Sequence, residues 1–275
     1  MINAVAIQGV VGSFHYIVAR EFFGSEMKIL ECLTFDSAID SLFHEETDAV
    51  VMAIENSIAG SIIPNYALID TNEFYIVGEY YLDIQHHLMA LNNQDIDSIN
   101  EVHSHPMALL QCKSFLKKYP HIKLVEAKDT AEVAMEIAEK KLEGVAAIGS
   151  EMAAQHFGLK ILAKSIQTIS HNETRFVIVK RGMEELNGQL IDKASLKFDV
   201  DHKRGSLAAI LNVMSDCKLN LTKIQSLPKI ETPWKYAFFV DVTFATYKDF
   251  EKAKSILSIM AENFKILGEY KNERK

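Results

Sequence analysis

The sequence predicts an α/β protein with largely parallel sheets, followed by a smaller domain of ferredoxin-like βαββαβ order. Three observations carry this. Short apolar runs alternate with helical patterns through residues 1–180. Residues 181–194 (RGMEELNGQLIDKA) lose that periodicity and read as a linker. Residues 195–275 then show strand and helix periods of their own, enough for a small domain.

Taken in order, Ala4–Ile7 is an apolar strand and Gly9-Val10-Val11-Gly12-Ser13 turns the chain. A helix follows with Phe14, Ile17, Val18 and Phe22 on one stripe, stopping at Gly24. Asp36 or Ser37 caps a second helix with Ile39, Leu42 and Phe43 inward. Asp48–Ile54 is a continuous apolar run, as expected for a strand covered on both faces. A helix runs from Pro106 to Leu116, and another, capped by Asp129-Thr130, carries Val133, Ile137 and Ala138. Val145–Ile148 is a strand, Ser150 caps the helix that Gly158 ends, and Arg175–Val179 is a further strand. In the tail, Leu196, Phe198 and Val200 alternate, and Leu207, Ile210, Leu211 and Met214 keep helical spacing. Leu219 and Leu221 open a second strand. Trp234, Tyr236, Phe238, Val240, Val242 and Phe244 alternate as a third. Phe250, Ala253, Leu257, Met260 and Phe264 form the second helical stripe, and Phe264–Tyr270 closes the domain as a strand.

Composition narrows the function. A net charge of −8 argues against a surface that tracks nucleic-acid phosphates, and no basic recognition helix stands out. No apolar run approaches the ~18–20 residues of a membrane span. The N-terminus lacks a basic region and reads as a buried strand, not a signal peptide. Three scattered cysteines, Cys32, Cys112 and Cys217, fit reduced thiols and a cytoplasmic location. Gly9-x-x-Gly12 lacks the three-glycine dinucleotide fingerprint, and there is no phosphate-binding GxxxxGK[ST] loop or GxSxG elbow. His86-His87 and His103-x-His105 fit no metal-ligand spacing, so no metal is expected.

Four loops at strand ends carry the candidate chemistry, since ligands of open α/β sheets bind beyond the strands' carboxyl ends. They are Gly9–Ser13, Glu55–Ser61, His103–Pro106 with Ser104 as a cap, and Asn172–Phe176. Free N–H groups at helix starts, together with Arg175, suit a small carboxylate-bearing molecule. The plainer reading has Ser13, Ser57 and Ser104 serving only as helix caps.

Those loops also carry a resemblance. Gly9-Val10-Val11-Gly12-Ser13-Phe14-His15 resembles the GPxGTFS segment of prephenate dehydratases. Residues 53–60 (AIENSIAG) resemble its [PS]xENSxxG segment, and 104–112 (SHPMALLQC) its SHPQALxQC segment. Asp129–Ala134 is similar to DTAxAA, and Asn172–Phe176 to NxTRF. The likeness extends over essentially the whole chain. It implies a catalytic domain of two periplasmic-binding-protein-like lobes (1–180) with a cleft between them, the linker 181–194, and an ACT regulatory domain (195–275). It implies decarboxylative dehydration of prephenate to phenylpyruvate in phenylalanine biosynthesis, with no cofactor. Thr174 is the residue tied to catalysis, Arg175 would hold a substrate carboxylate and Phe176 would pack on the ring. Ser13, Asn56, Ser57, Gly60 and Ser104 would line the cleft. A bound water, Glu55 or His15 would supply the proton.

In the tail, Gly205, Ser206 and Leu207 approximate the family's GALV effector motif. Gln225 and Ser226 approximate ESRP without its Glu and Arg, and Asn220 and Leu221 belong to a stretch close to INLTKI. The resemblance implies L-phenylalanine as effector and a homodimer or homotetramer. Val10, Ser13, His15 and Met107 depart from the family pattern. An arogenate dehydratase, acting on the amino-acid analogue, and a non-catalytic amino-acid sensor are the competing readings.

Overall fold

A computed structural model describes residues 2–183, 190–200, 203–229 and 235–274. The first part of the chain runs β1 (Ala4–Gln8), α1 (Phe14–Phe23), β2 (Lys28–Cys32), α2 (Phe35–Phe43) and β3 (Ala49–Asn56). Short β4 (Gly60–Ser61), α3 (Ile63–Thr71) and β5 (Tyr75–Asp83) follow. Next come β6 (His87–Ala90), β7 (Glu101–Ser104), α4 (Pro106–Gln111), α5 (Lys113–Leu116), β8 (Lys123–Glu126) and α6 (Thr130–Lys140). β9 (Val145–Gly149), α7 (Glu151–His156), β10 (Lys160–Ala163) and β11 (Glu173–Lys180) complete this part. One sheet has the order β2-β1-β3-β11-β5, with β4 on β3, and another the order β10-β6-β9-β7-β8.

The expected alternation of strand and helix is therefore present, in two α/β lobes. The sheets are less parallel than expected. β1 pairs in parallel with β2 and β3, and β7 with β8 and β9, but β6 runs antiparallel to both β9 and β10. Local chemistry explains the helix boundaries. Ser13 Oγ accepts from Tyr16 N–H to cap α1, and Gly24 ends it. α2 is capped by Thr34 in a reciprocal pair with Ser37, not by Asp36 or Ser37 alone. The expected helix over 106–116 breaks at Cys112 into α4 and α5. Phe22, Phe43 and Met260, expected inward, are exposed.

The tail folds as β12 (Lys193–Asp199), α8 (Ser206–Asp216), β13 (Asn220–Pro228), β14 (Tyr236–Thr243), α9 (Tyr247–Met260) and β15 (Glu262–Tyr270), in the expected βαββαβ order. Its sheet is β13-β14-β12-β15, antiparallel throughout. Leu196, Phe198, Val240 and Val242 pack with Ile210, Met214, Phe250 and Leu257 of the helices into one core. Trp234 and residues 184–189 of the expected linker lie outside the described residues.

By packing, the chain forms two units: Met1–Gly60 with Tyr81–Phe176, and Ser61–Tyr80 with Val177–Lys275. In the second, segment 61–80 lies on the tail sheet. Glu79 takes both carboxylate oxygens to Lys193 Nζ (2.9 and 2.8 Å), with both side chains buried. Asp70 meets Lys197 and Lys265, Lys223 meets Ser61 and the Tyr66 ring, and Tyr66 packs on Phe239. A Cβ on Gly268 would fall 2.0 Å from the Ile76 carbonyl oxygen, so only glycine permits this approach.

Candidate active site

The end of β3 is knitted to the start of β11. Ser57 N–H donates to the Glu173 carbonyl (2.8 Å), and Glu173 N–H donates to Ser57 Oγ (2.9 Å). This reciprocal pair brings Asn56 to Thr174. Asn56 Oδ1 accepts from the N–H groups of Ile58 and Ala59 (3.0 and 2.8 Å), a turn typical of asparagine. With its oxygen so engaged, the amide can present only its nitrogen on the other side. Nδ2 donates to Thr174 Oγ1 (2.9 Å) and Asn172 Oδ1 (2.8 Å), with a longer approach to the Glu173 carbonyl (3.3 Å). Thr174 Oγ1 is thus an acceptor in this pair, which leaves its own hydrogen for another oxygen.

The chain of donors continues. Asn172, fully buried, gives its Nδ2 hydrogen to Gln111 Oε1 (2.9 Å), and His86 Nε2 approaches the same oxygen at 2.9 Å. Gln111 Nε2 has no partner among the described residues. Sequence reasoning quoted Gln111 and Asn172 inside motifs but gave them no role, and weighed His86 only as a metal ligand. Their signal is a glutamine and an asparagine inside the segments 104–112 and 172–176, which becomes meaningful only when the oxygens and nitrogens can be paired.

The other expected residues divide. Ser13 is buried as the cap of α1, in a loop where Gly12 (φ 84°) packs directly on Ala153 and accepts from Ser150 Oγ. Gly60 (φ 83°) is exposed and open. Ser104 is not a cap. His105 Nδ1 caps α4, while Ser104 is fully buried and donates to the Ile148 carbonyl (2.7 Å). Arg175 is buried, and strand alternation sends it to the opposite face of β11 from Thr174. Phe176 is 1% exposed and meets His15 edge to face, so its ring is core packing and offers no open surface.

His15 is enclosed by its neighbours. Its Nε2 accepts from Ala53 N–H (3.2 Å), its ring lies between Phe35 and Phe176, and burial lowers its pKa to about 3. Glu55 alternates to the opposite face of β3 from Asn56. Cys112 is buried, with its thiol pushed up to about 12, as suits a core residue.

The prephenate dehydratase family profile matches residues 5–184. The chain belongs to the prephenate dehydratase family. It is 31% identical over 85% of its length to a bifunctional chorismate mutase/prephenate dehydratase of Buchnera aphidicola, and spans 62% of that protein. It is 33% identical over 97% of its length to an Arabidopsis thaliana arogenate dehydratase/prephenate dehydratase, spanning 72% of it. The crystal structure of an Arthrobacter aurescens prephenate dehydratase in complex with L-Phe shares the fold, with a TM-score of 0.89 and 24% identity over 98% of this chain and 90% of that one. Among the described residues, no helix is long and apolar enough to cross a membrane.

Proposed function

We propose that this chain converts prephenate to phenylpyruvate, with Thr174 donating a hydrogen bond to the departing ring hydroxyl. One observation carries the assignment. Asn56, pinned by two backbone N–H groups, can only donate to Thr174 Oγ1, so the Thr174 hydrogen points elsewhere. The reaction needs such a donor. The bond from the ring to its carboxylate breaks, the electron pair moves through the ring, and the ring C–O bond breaks, giving carbon dioxide, hydroxide and an aromatic product. Aromatisation drives the step, so the residues have only to position the substrate and stabilise the leaving oxygen. A threonine hydroxyl is a weak acid, so the hydroxide leaves hydrogen-bonded to Thr174 and is neutralised by one proton taken up from the bulk solvent, giving water. Ser13, Ser57, Gly60 and Ser104 shape the loops of the site. Arg175 acts on the substrate's charge, not on its leaving oxygen.

The regulatory reading rests on the tail. Gly205 (φ 87°) precedes α8 with no side-chain cap among the described residues; the Ser206 N–H already donates to the Lys203 carbonyl (3.3 Å), and the first turn from Leu207 on would receive an amino-acid carboxylate. β13, with Asn220, Leu221, Gln225 and Ser226, is an edge strand and suits side-by-side pairing of two copies. We assign L-phenylalanine as effector, a homodimer or homotetramer as the working state, and the cytoplasm as its place. Ultraviolet detection of phenylpyruvate from prephenate, in parallel with arogenate and with millimolar phenylalanine on the intact chain, tests all of this. No turnover of either substrate would overturn the catalytic reading in favour of a sensor, and turnover of arogenate alone would reassign the substrate. Indifference to phenylalanine would remove the effector.

A further inference from the structure

We propose that His86 is a positioning residue for this dehydration, acting through Gln111 on the amide chain that orients Thr174. The inference rests on the reading of Thr174 and Asn56 above. His86 lies just before β6, its ring buried to 4% exposure against the edge of Phe14. Its protonation pattern follows from its neighbours. Asn56 Nδ2 occupies Asn172 Oδ1, so Asn172 must present Nδ2 to Gln111, and the Gln111 atom that receives it is Oε1. An oxygen has no hydrogen to give, so His86 must bring one on Nε2. Nε2 therefore carries a proton, and burial, which holds the pKa down to about 4, keeps the ring neutral with Nδ1 unprotonated.

The cost of this arrangement is visible. His86 Nδ1 becomes a lone pair that is buried and has no hydrogen-bond partner among the described residues. A histidine kept in that state is explained by what its other nitrogen does. Two donors converge on Gln111 Oε1, from His86 and from Asn172. Flipping the Gln111 amide would set its NH2 against two N–H groups at once. The amide is held with Nε2 turned away from both, and every link from His86 to Thr174 has one allowed direction. Without the His86 donor a flip opposes one N–H group, and a flipped Gln111 would compete for the Asn172 oxygen that receives Asn56.

The experiment compares His86→Gln, whose Nε2 reaches the position of the lost donor, with His86→Asn, whose amide ends at the Nδ1 position, and His86→Leu, which has no donor. All are assayed for prephenate turnover in the full chain, with melting temperature recorded. His86→Asn and His86→Leu should lower kcat by about tenfold or more with KM changed less than about threefold, while His86→Gln keeps kcat within about threefold of the unaltered protein. In a Gln111→Leu background, adding His86→Leu should cost nothing further, because both act through one oxygen. A His86→Asn enzyme with undiminished kcat, a His86→Gln enzyme as slow as His86→Asn, or losses that multiply in the double variant would each overturn the proposal. An unaltered chain that fails to turn over prephenate breaks the underlying reading instead, and the two failures are told apart by that first assay.

Discussion

Thr174 is oriented by neutral groups, and Glu79 by an ammonium. In the unit that contains the site, imidazole, two asparagine amides, a glutamine amide and a hydroxyl follow one another with no formal charge on any link. In the other unit, the contacts between segment 61–80 and the tail sheet are largely charged: Glu79 with Lys193, Asp70 with Lys197 and Lys265, and Lys223 over Tyr66. Neutral amides carry direction, because each has one end that gives and one that receives. Charges carry strength but little sense of direction. A site that must aim one hydrogen uses the first kind, and a surface that must stay shut uses the second.

The sharpest way to break this contrast is Thr174→Ala, which should lower kcat by ~10²–10⁴ with a smaller change in KM and little change in melting temperature. Near-normal turnover would remove the directed hydroxyl from the mechanism. Lys193→Ala should do the reverse. It takes the Lys193 ammonium away from a fully buried carboxylate and should cost about 3–5 kcal/mol in urea unfolding, whereas changing Lys193 and Glu79 together to methionine recovers most of it.

Acid sharpens the picture from the neutral side. His15 and His86 stay uncharged in the fold while the unfolded chain takes up protons below pH 6.5. The unfolded state therefore binds more protons, and stability is lost as pH falls from 6.5 towards about 4 for His86 and about 3 for His15. At pH 5.5 this amounts to roughly 1 kcal/mol for each histidine. Urea midpoints at pH 7.5 and 5.5 measure it, and His15→Leu should remove about half of the difference; an unchanged difference would reject the assignment. The smallest effect belongs to Lys223→Ala, about 0.5–1 kcal/mol, since that ammonium is only partly buried over Tyr66.

The sequence made some elements plain and hid others for physical reasons. β1, α6, α7 and the tail strands were legible because each has a clean period and a proper cap. β2 and β8 are edge strands whose residues are half exposed, and their alternation is correspondingly blurred. α3 begins with a proline and buries Asn65 and Tyr66 as well as Ile69, so no apolar stripe announces it. β5 contains Gly78 and a buried Glu79 whose partner lies 114 residues away, a pairing no local pattern can reveal. At the site, Thr174, Asn56 and Ser57 were visible in their motifs, and the structure brings them together. The amide chain through residues 86, 111 and 172 was not, because these residues meet only after two lobes have folded. Ser104 and Phe176 were expected to face a ligand from the family motifs they sit in, and in the structure both are buried.

The glycine at 268 and the ammonium at 193 also bear on how the chain would escape the phenylalanine control proposed for it. Cutting away the tail would uncover Ile76 and take the Lys193 ammonium from the buried Glu79, so a shortened gene product should fold poorly instead of running free. Strains selected for phenylalanine overproduction are then expected to alter single residues around Gly205 or Gln225, and to keep the full length of the chain.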